Sequence, residues 1–234
     1  MTVTLITGAN KGLGHETARR LTEAGHTVWI AARDPERGRR AAESLGARFV
    51  RLDVTAEHGP ASAEAAAETV REAGGGLDVL VNNAGVIGSR KPVGATTGAD
   101  MLATFDTNVF GAVRVTRAFL PLLAESPAAV VVNVGSGMGS VAATNDPGRV
   151  ESTISALDYP SSKTALVMVT SQYARAYPRM RFNTVDPGHT ATDLNGHSGT
   201  QTVREGAEAI VRMALIGPDG PTGGFFDRAG PAAW

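Results

Sequence analysis

"TVTLITGANKGLGHETARRLTEAG", residues 2–25, decides the fold. Its first part, through Thr7, is a short run rich in Val, Leu and Ile without a polar face, as in a strand buried on both sides of a parallel sheet. The run breaks at Gly8. Gly12 and Gly14 then follow in a G-x-x-x-G-x-G spacing, and the segment they open has helical periodicity up to Gly25. Glycines at such a turn let the backbone approach a diphosphate closely, and the helix N-terminus offers it free N–H groups and a positive dipole end.

The same alternation continues along the chain. Short apolar runs recur in "HTVWIAAR", "ARFVRLDV", "LDVLVNNAG", "AAVVVNVGS", "MRFNTVDPG" and, more weakly, "GGFFD". Between them lie segments with helical spacing, among them "MLATFDTNVFGAVRVTRAFLPLLAES", read as one long helix, and "PSSKTALVMVTSQYARAY". "AEHGPASAEAAAETVREAGGG" is Ala-rich, and its 3.6-residue spacing predicts a helix with flexible ends. Strand and helix alternate throughout, so the expected fold is α/β: a doubly wound parallel sheet of seven strands with helices on both faces, a Rossmann fold in a single domain over residues 1–234. Ligands in such sheets bind outside the carboxyl ends of the strands.

Composition narrows the function. At 234 residues with 42% hydrophobic and 19% charged residues, the chain is an ordinary globular sequence with enough apolar material for a large core. Its formal net charge of −1 gives no field suited to nucleic acid or an anionic membrane. There is no cysteine, so disulfides and thiolate metal sites are excluded, and the five histidines have no metal-ligand spacing with carboxylates. No apolar stretch approaches a membrane span and no targeting signal opens the chain, which points to a cytoplasmic protein.

The segments after the strands carry the polar chemistry. "NNAG", Asn82 to Gly85, places two amides before small residues, so that side chains can tie neighbouring strands while the backbone passes close to a ligand. "VVVNVGSGMGS" puts Ser136 at a strand end, with Ser140 as a competing hydroxyl, and "DPGHTATDL" supplies Thr190 and Thr192 after a Pro-Gly turn. In "LDYPSSKTAL", Tyr159 precedes Lys163 by four residues, which stacks the two on one face of a helix. A phenol has a pKa near ~10, and each unit of depression needs ~1.4 kcal/mol of preferential stabilisation of its anion, which a close ammonium can supply.

In this order, the motifs resemble one family: the short-chain dehydrogenases/reductases, of the type with a single Rossmann domain. The resemblance runs from "TGANKGLG" through "NNAG", Asn108 in "TNVFG", Ser136 and "YPSSK" to "DPGHTATD" and "TGGFFD", and is nearest to the carbonyl-reductase-like members. It implies that Tyr159 is the general acid in carbonyl reduction, that Ser136 hydrogen-bonds the substrate oxygen, that Lys163 supports the phenol and grips the nicotinamide ribose, and that Asn108 holds a water of the proton relay. The cofactor-binding residues it implies, besides Tyr159 and Lys163, are Gly8, Asn10, Lys11, Gly12, Leu13 and Gly14 in the first turn, Arg33, Asp53 and Val54 after the second and third strands, Asn82, Ala84 and Gly85 after the fourth, and Pro187, Gly188, Thr190 and Thr192 after the sixth. No metal is implied.

The cofactor expected is NADP(H). Where an acidic residue at the end of the second strand would hold the adenosine ribose, this chain has Ala32 followed by Arg33, whose planar donors suit a 2′-phosphate, and Lys11 brings a second cation. A shift of one residue would instead bring Asp34 to the ribose. The partner expected is a small-molecule carbonyl: a ketone, aldehyde or quinone. Two other readings stay open, a dinucleotide-binding redox sensor without catalysis and a dehydrogenase that oxidises a secondary alcohol. The chain departs from the pattern in having Gly135 where members usually carry a first serine, and in placing 23 positions between Ser136 and Tyr159, more than the simplest members have. The added stretch around "TNDPGRVESTIS" reads as a mobile loop with a helical turn. It precedes a helix through which members commonly pair, so a monomer or homodimer is expected rather than a tetramer. The segment after Thr192 is brief and Gly-rich, as in a small lid.

Overall fold

The computed structural model describes residues 1–74 and 76–234; Gly75, in the expected flexible end of the Ala-rich helix, lies outside them. Each apolar run becomes a strand: β1 (Val3–Thr7), β2 (Thr27–Ala32), β3 (Arg48–Arg51), β4 (Val79–Asn82), β5 (Val130–Val134), β6 (Arg181–Val185) and β7 (Phe225–Phe226). They form one sheet in the order β3-β2-β1-β4-β5-β6-β7, parallel throughout. The chain starts at the centre, winds outward to β3, and returns so that Ile6 of β1 faces Val81 of β4 in register. The order reverses between these two strands, so their carboxyl ends open a crevice.

The described residues form eight α-helices: α1 (Gly12–Glu23), α2 (Pro35–Leu45), α3 (Gly59–Glu72), α4 (Gly98–Phe105), α5 (Ala112–Glu125), α6 (Val141–Thr144), α7 (Asp158–Ala176) and α8 (Val203–Ala214). Alternate strand residues enter opposite cores. Leu5, Leu80 and Val131 pack with Val70 of α3 and with Phe119 and Leu123 of α5. Ile6, Val81 and Val132 pack on the other side with Leu21 of α1 and Ile210 of α8. Both faces are therefore apolar, which accounts for strands that read as unbroken hydrophobic runs.

The long helix expected around residues 101–126 is interrupted. A π-helical segment, Asp106–Gly111, separates α4 from α5. One extra residue per turn changes the phase of the helix at the point where Asn108 must reach the end of β4. The "TNDPGRVESTIS" stretch, residues 144–155, leaves the end of α6 as a loop and contains a 3₁₀ turn at Val150–Thr153.

A row of buried polar groups ties α7 to the sheet. Asn82 of β4 donates to Thr116 of α5 at 3.0 Å and to Asn133 of β5 at 2.8 Å; Asn133 donates to Thr170 of α7 at 2.8 Å, and Thr184 of β6 donates to the same hydroxyl at 2.8 Å. Removing one member strands its neighbours without partners, a cost of roughly 1–3 kcal/mol each. Asn133→Ala is expected to lower the urea midpoint by an amount equivalent to about 2 kcal/mol or more, with an unchanged m-value.

Candidate active site

A cleft of about 350 Å³ lies at the carboxyl edge of β1, β2, β4 and β5. Its near wall is the first turn, where Gly8 and Gly12 have φ of +64° and +56° and the backbone runs past Asn10, Lys11 and Leu13 into α1. A side chain at Gly8 would meet the Cα of Ala84 at 3.0 Å, so glycine lets the first and fourth strand ends come together. Gly14 does not line the cleft; it lets α1 press against the Asn83 amide and Ala9, where a Cβ has no room.

Arg33, Asp53 and Val54 line one end of the cleft. Asp34 does not: its carboxylate accepts the N–H groups of Glu36 and Arg37 at 3.0 and 3.1 Å and caps α2, whose first residue is Pro35. Those bonds, the Arg37 N–H foremost, hold its carboxyl below the usual carboxylate range. The one-residue shift is thus ruled out by helix capping. Arg33 is exposed and forms no ion pair among the described residues. Burial of Asp53 is outweighed by two bonds from Thr55 and by the field of Arg33, which keep it an anion. Lys11 lines the cleft but is not free; its ammonium pairs with Asp193 at 2.7 Å across the mouth.

The far end of the cleft holds Tyr159 and Lys163, one turn apart at the start of α7. Lys163 is buried, its Nζ donating to the Val134 carbonyl at 2.8 Å and lying 5.6 Å from the centre of the Tyr159 ring. Burial pushes the phenol up to about 12, an effect eased by the neighbouring Ser136 hydroxyl. In the free protein burial is thus the larger influence on the phenol. Burial also brings the Lys163 ammonium down to about 8.

Ser136 accepts the Met138 N–H at 3.2 Å and stands beside the phenol. Ser140 is turned away, capping α6 through the Ala143 N–H at 2.9 Å and donating to the Ala233 carbonyl at 2.8 Å. Of the two serines, it is Ser136 whose hydroxyl stands beside the phenol.

Besides Gly14, three expected cofactor contacts are placed elsewhere. Asn82 is buried in the polar row described above, and the amide that lines the cleft is Asn83. Thr190 is also buried, donating to the Pro187 carbonyl at 3.0 Å, and Gly188 lies behind Pro187 against Gln201. Pro187 and Thr192 do line the cleft, as do Ala84 and Gly85. Asn108 is buried behind the wall: its amide donates to the Val86 carbonyl at 2.9 Å and to Ser162 at 3.0 Å, and accepts the Val86 N–H at 2.8 Å. Among the described residues there is no cluster able to hold a metal ion, and no helix is long and apolar enough to cross a membrane.

With this geometry in view, a model of the short chain dehydrogenase family matches residues 2–202. The chain belongs to that family. It is 36% identical to a short-chain dehydrogenase of Penicillium roqueforti, over 91% of this chain and 88% of that one. It is 29% identical to a (+)-neomenthol dehydrogenase of Capsicum annuum, over 96% and 95% of the two chains. The crystal structure of an NADPH-bound carbonyl reductase from chicken fatty liver superposes with a TM-score of 0.86, at 28% identity and 100% coverage of both chains.

Two residues of this short-chain dehydrogenase escaped the sequence reading. Asn83 was passed over in favour of its neighbour, and the two-residue side-chain alternation of β4 was the signal that Asn82 points into the sheet. Asp186 stands at the head of "DPGHTATDL", where only the Pro-Gly turn and the threonines drew notice, yet it is buried beside Pro187. Asp34→Ala is expected to cost about 1 kcal/mol through the lost cap, a fall of a few degrees in Tm by scanning calorimetry.

Proposed function

We propose that this short-chain dehydrogenase reduces a carbonyl compound (a ketone, aldehyde or quinone) to an alcohol with NADPH as hydride donor. The observation that carries the reading is the pairing of Tyr159 and Lys163, with Ser136 beside the phenol, in a cleft that also presents the exposed Arg33. The residues present suit the cofactor: the backbone of the first turn for a diphosphate, Arg33 for a 2′-phosphate, and Asp53 for the adenine amino group. The NADPH bound in the chicken carbonyl reductase supports this assignment, as do relatives named as dehydrogenases and reductases of small molecules. When bound, NADPH supplies the hydride.

The protein supplies the proton and the geometry. Ser136 donates a hydrogen bond to the substrate oxygen and so orients the carbonyl toward Tyr159. A phenol pushed up to about 12 is fully protonated at neutral pH, which suits it to donate as the alcohol forms. Phenolate then appears beside Lys163, whose positive charge stabilises it as it develops. Asn108 works at one remove, holding the Val86 backbone against α7 through Ser162. Lys11, committed to Asp193 in the free protein, would turn to the cofactor phosphate only by giving up that ion pair.

Tyr159→Phe is expected to reduce turnover of a quinone, diketone and aldehyde panel to below a few per cent, with NADPH affinity by fluorescence titration within a few-fold of the unmodified protein. Greater residual activity would remove the proton-donor assignment. The pH profile has a determined sign: Lys163 is charged below its value of about 8 and neutral above it, so reduction falls as pH rises through about 8, while Tyr159 stays protonated. Arg33→Ala is expected to raise the KM for NADPH by about tenfold or more, about 1.4 kcal/mol, and to leave that for NADH nearly unchanged. Equal use of both cofactors by the unmodified protein would refute the role given to Arg33.

A further inference from the structure

The π-helical segment between α4 and α5 does more than carry Asn108 toward Val86. Its first residue, Asp106, forms an ion pair with Arg114 of α5 at 2.6 Å, and the two side chains are only 20% and 19% exposed. Eight positions along an ordinary α-helix turn two side chains about 80° apart around the axis. One extra residue in the winding brings the two close to the seven-residue spacing that shares a face. The pair does not close on itself. The other carboxylate oxygen of Asp106 accepts the Ala56 N–H at 2.8 Å, and Arg114 donates to the Val54 carbonyl at 2.9 Å and to the Asp106 carbonyl at 3.2 Å. These bonds grip the segment after β3 on either side of Thr55.

Thr55 in turn orients Asp53. Its N–H and its hydroxyl both donate to one carboxylate oxygen of Asp53, at 3.0 and 2.9 Å, while the Ser62 hydroxyl accepts the Asp53 N–H at 2.8 Å. Asp53, Val54 and Thr55 line the cleft together with Arg33. β3 ends at Arg51, so this stretch lies beyond the strand and is held by side chains. Gly111, the last residue of the π-helical segment, permits the approach: a Cβ there would lie 3.0 Å from the Val54 Cβ and 3.1 Å from its carbonyl oxygen. We propose that Asp106 and Arg114 are a positioning pair for the adenosine end of the cofactor, fixing the Asp53–Ala56 stretch in one form against which the nucleotide binds.

A stretch free to move would have to be ordered as the nucleotide binds, and affinity would fall by that cost. A largely buried ion pair, bonded to backbone groups on both sides of Thr55, removes the cost in advance. The geometry suits arginine in particular. One guanidinium nitrogen serves two carbonyls while another serves the carboxylate, a fixed fork that an ammonium does not offer. The same segment places Thr107 in the cleft, and Asn108 holds Val86, so three consecutive residues each act on a different part of the wall. That division of labour gives the π-helical winding a purpose at both ends of the site.

The inference rests on the NADPH reading, and its test separates the two. Binding of adenosine 2′,5′-bisphosphate is measured by titration calorimetry in the unmodified protein, in Arg114→Met, which keeps the apolar stem, and in Asp106→Ala. The expected result is a Kd raised about tenfold in both variants. In turnover, the KM for NADPH rises while kcat stays within about twofold, a split that mere loss of folded protein would not produce. An unchanged Kd in a folded variant overturns the proposal, whatever its Tm. Should neither variant fold, amide hydrogen exchange of the unmodified protein without nucleotide decides. A fixed stretch requires the Thr55 and Ala56 amides to exchange at least about a hundredfold more slowly than an open chain, and exchange at the open-chain rate overturns the proposal. Failure of the unmodified protein to bind adenosine 2′,5′-bisphosphate would instead refute the cofactor assignment, and this role with it.

Discussion

Between β1 and β4 the chain order reverses, and one threonine and one asparagine hold the two strand ends together. The Thr7 hydroxyl accepts the N–H groups of Asn83 and Ala84, both at 3.0 Å, and the Asn83 amide returns a bond to the Thr7 carbonyl at 2.8 Å. Regular pairing has already ended at Ile6 and Val81, so side chains take over from the ladder where the strands begin to part. The Gly-rich turn, the approach of α1 and the backbone from Ala84 to Val86 all depend on that join. Without it the crevice would have no fixed near wall.

From this seam the site is assembled by rigid elements. The polar row through Asn82, Asn133 and Thr170 fixes α7 on the sheet, and α7 carries Tyr159 and Lys163 in its first turns. Asp158, beside Tyr159, is buried and accepts the Ser89 N–H at 2.6 Å and the Thr104 hydroxyl at 3.2 Å, tying α7 to α4 as well. The reacting groups therefore sit on a helix secured along its length, where small displacements would be most damaging to proton transfer.

Local pattern made much of this visible before any coordinates. The Gly8, Gly12 and Gly14 spacing, the Tyr159 and Lys163 pair and the apolar strands are readable because each depends on residues a few positions apart. What escaped depends on distant partners. Asn83 finds Thr7 76 residues away, and Asp186 acquires its setting only when the Ser136 turn folds against it. The π-helical segment was hidden for another reason: the residue types of Asp106 to Gly111 do not distinguish it from an α-helix, and its extra residue per turn accompanies the distant bond of Asn108 to Val86. Asp34 illustrates a resolvable ambiguity, since Asp-Pro before a helical segment is itself a capping signal.

The ion pair of Lys11 with Asp193 spans the cleft mouth, with about half of each side chain in water. Exposed pairs of this kind contribute about 0–1 kcal/mol. So weak a fastening makes the Lys11–Asp193 pair a loose catch between the first turn and the segment after Thr192. Dissolved salt would loosen the catch further by screening it.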